Sequence, residues 1–250
     1  MERSKFPRGI FAATITPFDA DYRPDAVLAL PYYRSLLQRG CNGLNILGTT
    51  GEAMSIAVAD RLGFMEALAP SLPRNQVMIG TGASALRDAI KLTSRAFSLG
   101  FAAALVIPPF YYRDVPDSGI LRYFDALLSA VNPPPRGILL YNFPRMSGIT
   151  FHTGLVEQLI ERYPGIIGGM KDSSNTLELE RDLHTRYPDL AILPGSEELL
   201  PEVLDDEFAG CISGSVCLWV ELAADAWKNR NRAQAEEVAR LRRQVTPPII

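Results

Sequence analysis

IIGGMKDSS, residues 166–174, is an apolar run that closes on a lysine and an aspartate. Its apolar start and paired glycines read as a buried strand, and a charged end on such a strand asks for a use. Working outward, the same signature recurs along the chain: a short apolar segment, then a longer amphipathic stretch. Strands are predicted at 9–18, 43–50, 76–83, 103–112, 137–144, 166–172, 190–196 and 210–215. Helices are predicted between them at 25–39, 57–70, 85–99, 117–131, 153–163, 175–187 and 198–206, with one or two more after 218. Pro70 and Pro73 stop the second helix and Pro188 the sixth. Eight such units most simply close into an α/β TIM (β/α)8 barrel over residues 1–217, with a C-terminal helical segment at 218–250; a doubly wound open sheet is the competing architecture.

The totals fit one domain of this kind. A chain of 250 residues, 47% hydrophobic, can bury one large core. The net charge of -3 is spread over 25 basic and 28 acidic side chains with no long block of one sign, which argues against nucleic acid and anionic membrane as partners. Cys41, Cys211 and Cys217 form no CxxC, so neither a disulfide framework nor a zinc site is suggested. No targeting segment is read at the N-terminus, and a cytoplasmic location is expected.

In a barrel of this type, polar residues at the C-terminal ends of strands build the active site. Lys171 stands at such an end. Alternation places Ile167, Gly169 and Lys171 on one face, leaving room for the lysine stem; an amine held there would lose hydration and become nucleophilic. An ion pair with a nearby carboxylate is the alternative reading. Tyr141 ends the neighbouring strand, within reach of the amine, and could shuttle the protons that imine chemistry needs, or could simply be packed core. Gly48-Thr49-Thr50-Gly51-Glu52 follows the second strand: its glycines would let a ligand approach, and its free amides suit a carboxylate, unless it is only a tight turn. GTGASA at 80–85 imitates a dinucleotide fingerprint, but it follows the third strand and has no acidic residue ending the next. His152 and His184 lack metal-ligand spacing and read as solvated or capping, while Met54, Met65, Met78 and Met170 read as core filling.

GTTGE at 48–52, PPFYY at 108–112, LYNFP at 140–144 and GMKDS at 169–173, in that order and each at a strand end, resemble the dihydrodipicolinate synthase and N-acetylneuraminate lyase family of class I aldolases. The similarity runs from about Gly9 to the final helix. It implies a pyruvate Schiff base on Lys171, Tyr141 as acid and base, Thr49 and Tyr111 as proton relay, and the carboxylate held at Gly48, Thr49 and Thr50. It also implies an aldehyde as second substrate and no metal or organic cofactor. In the family the strand-four tyrosine reaches across a subunit contact, so Tyr111 implies a homodimer or homotetramer.

The synthase branch carries an arginine two residues after the YNxP proline, where this chain has Met146; Arg145 sits one place early. Gly195-Ser196-Glu197-Glu198 and Ser213-Gly214-Ser215 look more like the lyase branch, in which acidic and hydroxyl groups bind a sugar acid. Ser173, Glu197, Glu198 and Ser215 are therefore expected at the substrate, with helix-start electrostatics as the alternative for the two glutamates. The expectation is a lyase acting on a 2-keto-3-deoxy sugar acid or a sialic-acid-like substrate. Dihydrodipicolinate synthase, or a barrel that binds a 2-oxo acid without turnover, is the alternative. Family members usually carry further helices, whereas this chain stops at TPPII after a helix at 231–245, so the C-terminal segment is read as shorter than usual.

Overall fold

Short apolar strands, each tied to the next by an amphipathic helix, pair in parallel because a helical crossover returns the chain to the same end of the sheet. The computed structural model describes residues 8–245. The strands are β1 (Gly9–Ala13), β2 (Gly43–Ile46), β3 (Val77–Gly80), β4 (Ala103–Val106), β5 (Ile138–Asn142), β6 (Ile167–Asp172), β7 (Ala191–Pro194) and β8 (Gly210–Ser213). Their order is β7-β6-β5-β4-β3-β2-β1-β8, every pair is parallel, and β7 meets the start of β8 through the Ala209 amide donating to the Ile192 carbonyl at 3.0 Å. The sheet is thus a nearly closed barrel, as predicted.

The helices are α1 (Ala26–Gln38), α2 (Val58–Leu68), α3 (Leu86–Ser98), α4 (Asp117–Val131), α5 (Pro144–Ser147), α6 (Thr153–Arg162), α7 (Leu177–Arg186), α8 (Leu200–Asp205), α9 (Val220–Asn229) and α10 (Arg232–Gln244). The single turn α5 was not predicted; Pro144 starts it, and so short a turn carries no periodicity to read. The first strand ends at Ala13 rather than Phe18: the Thr14 amide makes a last bond to the Asn45 carbonyl at 3.0 Å, and Ile15 to Phe18 then leave the ladder. Among the described residues no helix is long and apolar enough to cross a membrane. The TPPII stretch lies outside the described residues.

Two apolar layers hold the barrel. Ile10, Leu44, Ile79, Val106, Leu140 and Ile192 face the helices, while Phe11, Met78, Leu105, Leu139, Leu193 and Ile212 fill the interior. The predicted shared face of Ile167 with Lys171 is corrected by β6. Ile138 pairs with Ile167, but the next residue, Leu139, pairs with Gly169, so β6 carries one extra residue at Gly168. Ile167 therefore packs with the helices and only Gly169 and Lys171 turn inward. A Cβ on Gly168 would lie 2.2 Å from the Arg136 carbonyl oxygen, and one on Gly169 would lie 2.4 Å from that of Ala191, so the bulge admits only glycine at both positions.

Candidate active site

The ends of β5 and β6 set the centre of the barrel mouth. Tyr141 and Lys171 are register partners, each is 4% exposed, and the Lys171 Nζ lies 4.6 Å from the centroid of the Tyr141 ring. Among the described residues no carboxylate comes within 4.0 Å of that amine, so the ion-pair alternative has no partner here. Asp172, next in sequence, turns to the other side of β6. There it accepts from Asn142 Nδ2 at 3.1 Å and from the Ser174 amide at 2.6 Å, and burial raises its pKa.

The turn after β2 approaches the phenol. Thr49 Oγ1 and the Tyr141 hydroxyl lie 3.3 Å apart. The turn is held by Thr16, whose hydroxyl donates to the Gly51 carbonyl at 2.7 Å, and by the left-handed backbone of Leu47 and Glu52 on either side. Gly48 and Thr49 spend their carbonyls inside the turn, on the amides of Ala53 and Glu52. Among the described residues the amides of Thr49 and Thr50 donate to nothing. Thr50 lies against β8: a Cβ on Gly214 would come 2.8 Å from its hydroxyl.

The remaining predicted residues divide. Ser173 is half-buried beside Gly195, where a Cβ would come within 2.1 Å of its hydroxyl. Glu197 is fully buried in the turn after β7; Ser213 Oγ donates to its Oε2, and Arg242 of α10 lies 3.8 Å from the same oxygen. Its Oε1 has no partner among the described residues. Glu198 pairs with Arg243 at 3.5 Å, and Ser215 Oγ is 3.4 Å from Ser213 Oγ. Tyr111 stands apart: it is 81% exposed, adopts a left-handed φ of 86°, and makes no hydrogen bond to Thr49 or Tyr141.

A cavity of about 270 Å3 opens between β2, β4 and β5, bordered by Thr49 and Tyr141 on one side and by Met54, Leu105, Ile107 and Met146 on others. Met54 is thus half exposed at a pocket wall and not core filling as predicted, because the turn containing it bends over the mouth. Arg61 was not anticipated. It is buried on α2, donates to the carbonyls of Gly80 and Gly82 beneath this cavity, and burial lowers its pKa to about 10. His152 caps α6, as predicted, and also meets Asp117 at 2.8 Å, whereas His184, expected as solvated or capping, packs on Phe208.

Comparison with known proteins agrees with this geometry. The Dihydrodipicolinate synthetase family matches residues 6–250. An uncharacterized DapA-like lyase of Chloroflexus aurantiacus is 37% identical over 87% of this chain and 73% of its own. The crystal structure of dihydrodipicolinate synthase from Agrobacterium tumefaciens superposes with a TM-score of 0.83 at 30% identity, over 90% of this chain and 78% of that one. YagE from E. coli K12, a prophage protein of the same family solved in complex with pyruvate, superposes with a TM-score of 0.86 at 27% identity, over 95% and 80%. The chain belongs to the dihydrodipicolinate synthetase family and is a Schiff-base-forming lyase of the class I aldolase type.

Proposed function

We propose that Lys171 forms an imine with the ketone of pyruvate or a similar 2-oxo acid, and that the enzyme makes or breaks the carbon-carbon bond next to that pyruvyl unit. The observation that carries this reading is a buried amine without a carboxylate partner among the described residues, resting against the ring of a tyrosine whose hydroxyl meets Thr49. The imine nitrogen is the electron sink. Tyr141 gives a proton to the departing carbinolamine hydroxyl and then takes one from the carbon beside the imine, with Thr49 as relay. The unpartnered amides of Thr49 and Thr50 hold the substrate carboxylate, and the glycine at 48 allows its approach. The pyruvate bound by YagE supports the choice of oxo acid.

Tyr111 completes the relay from a second subunit in this reading. Its exposed ring on a left-handed backbone is what an interface residue looks like without its partner, and a homodimer or homotetramer follows. Three free thiols, two of them buried, fit a reducing compartment such as the cytoplasm.

For the second substrate, the unpartnered Oε1 of Glu197 favours a hydroxylated sugar acid, with Glu198, Ser173 and Ser215 nearby in the fold. Against that reading, Arg242, Arg243 and Ser213 already engage both glutamates. The synthase reading is supported by the Agrobacterium relative and weakened by Met146 at the position of the carboxylate anchor.

Incubation with pyruvate and borohydride, read by intact mass, tests the imine: one reduced adduct is expected on the wild type and none on Lys171→Ala. An equal adduct on both would remove the reading. If the barrel only binds the oxo acid, Tyr141→Phe will leave binding intact and there will be no turnover to lose.

A further inference from the structure

Resting on the imine chemistry just proposed, we infer that the aldehyde partner is an uncharged, apolar one with an aryl or branched alkyl group, received by the cavity beside Tyr141. The cavity holds the two groups that would meet an aldehyde oxygen, the Tyr141 phenol and the Thr49 hydroxyl. Beyond them its wall is mainly apolar, with Met54, Leu105, Ile107, Phe110 and Met146, and carries one further hydroxyl, Ser55. Among the described residues no lysine or arginine lines it, so a carboxylate or phosphate at the far end of the aldehyde would be desolvated without a counter-charge. Its one charged group is Glu52 at the exposed rim, which repels an anion. Sugar hydroxyls fare little better against thioether and alkyl groups: Ser55 and the rim carboxylate Glu52 are the only further polar side chains of this wall among the described residues, while Glu197 and Glu198 lie after β7 beside α10. A dry cavity of about 150 Å3 lined by such side chains can take up benzene, so about 270 Å3 holds a phenyl ring with its formyl group.

The step balances with the groups present. The enamine methylene of pyruvate forms the carbon-carbon bond to the aldehyde carbon, and the aldehyde oxygen takes the Tyr141 proton. One water then adds to the iminium, returning a proton to Tyr141. Collapse frees the Lys171 amine and a 4-hydroxy-2-oxo acid. This water replaces the one lost when the imine formed.

Three aldehydes test the inference with pyruvate and the intact enzyme: benzaldehyde, D-glyceraldehyde and succinic semialdehyde. Each is run beside the borohydride trap. The expected result is a trapped pyruvate adduct and a kcat/KM for benzaldehyde at least about tenfold above either polar aldehyde. Trapping with equal or better use of a polar aldehyde, or with no use of benzaldehyde, overturns the apolar partner and leaves the imine standing. No trapping overturns both. Met146→Arg sharpens the outcome, since Met146 is 38% exposed on the short α5 and the change does not disturb the core. It should lower kcat/KM for benzaldehyde about tenfold and raise it for succinic semialdehyde; an equal change for both contradicts a specificity role for this wall.

Discussion

The two sides of the barrel mouth are built differently. Around the ends of β2, β5 and β6, polar groups are left open: among the described residues the Thr49 and Thr50 amides donate to nothing, and the Lys171 amine lies against the Tyr141 ring with no carboxylate within 4.0 Å. Around β7 and β8, most polar groups are tied down: Glu197 Oε2 accepts from Ser213 with Arg242 3.8 Å away, and Glu198 pairs with Arg243, while Glu197 Oε1 is the exception among the described residues. Both sides look equally polar in sequence. Chemistry belongs where charge and hydrogen-bonding capacity are left uncommitted, and the committed side serves to anchor α10 to the barrel.

The largest expected effect is on the open side. Lys171→Ala should reduce carbon-carbon bond cleavage to background, measured with any accepted substrate, while thermal melting shows the barrel still folded. Tyr141→Phe removes one hydroxyl and keeps the ring under the amine, and should lower kcat by about 10²- to 10⁴-fold with little change in pyruvate binding by calorimetry. A loss of binding equal to the loss of rate would make Tyr141 a packing residue.

Between the two sides, the outer face of β6 carries a titration that the site does not use. Glu180 on α7 is fully buried with neither oxygen partnered among the described residues; burial and then Asp172 push its pKa from 4.5 to about 8. The native state therefore keeps a proton that the unfolded chain releases, so stability falls as pH rises from about 4.5 to about 8. Asp172, also raised by burial, adds in the same direction. About 5 kcal/mol should be lost across that window, and urea titrations of Glu180→Gln should show most of this slope gone. An unchanged slope would place the titration elsewhere.

The smallest effect is expected on the committed side. Arg242→Ala leaves Glu197 buried without its counter-charge and should cost about 2 kcal/mol of stability, with the rate of pyruvate trapping unaltered. A large fall in trapping instead would move Glu197 into the chemistry.

The barrel was legible because strand-helix alternation is local, and the meeting of Tyr141 with Lys171 was legible because parallel register aligns consecutive strand ends. The bulge at Gly168 was not, since a period of two carries no mark of an inserted residue; Gly168 and Gly169 were visible, but the backbone oxygens that demand them come from elsewhere in the chain. The same distance hid the pairing of Glu197 and Glu198 with arginines on α10, and the bend that brings Met54 out to the cavity wall. Long-range partners, not local pattern, decide whether a strand-end polar residue is free.

The claim that matters most is that the open amine is the reactive one. Lys91 and Lys228 are exposed, and Lys171 is the buried lysine among the described residues. Peptide mapping of the pyruvate-borohydride adduct separates accessibility from reactivity. A modification confined to the peptide containing Lys171 is the predicted result; adducts distributed over Lys91 and Lys228, with Lys171 untouched, would contradict the account.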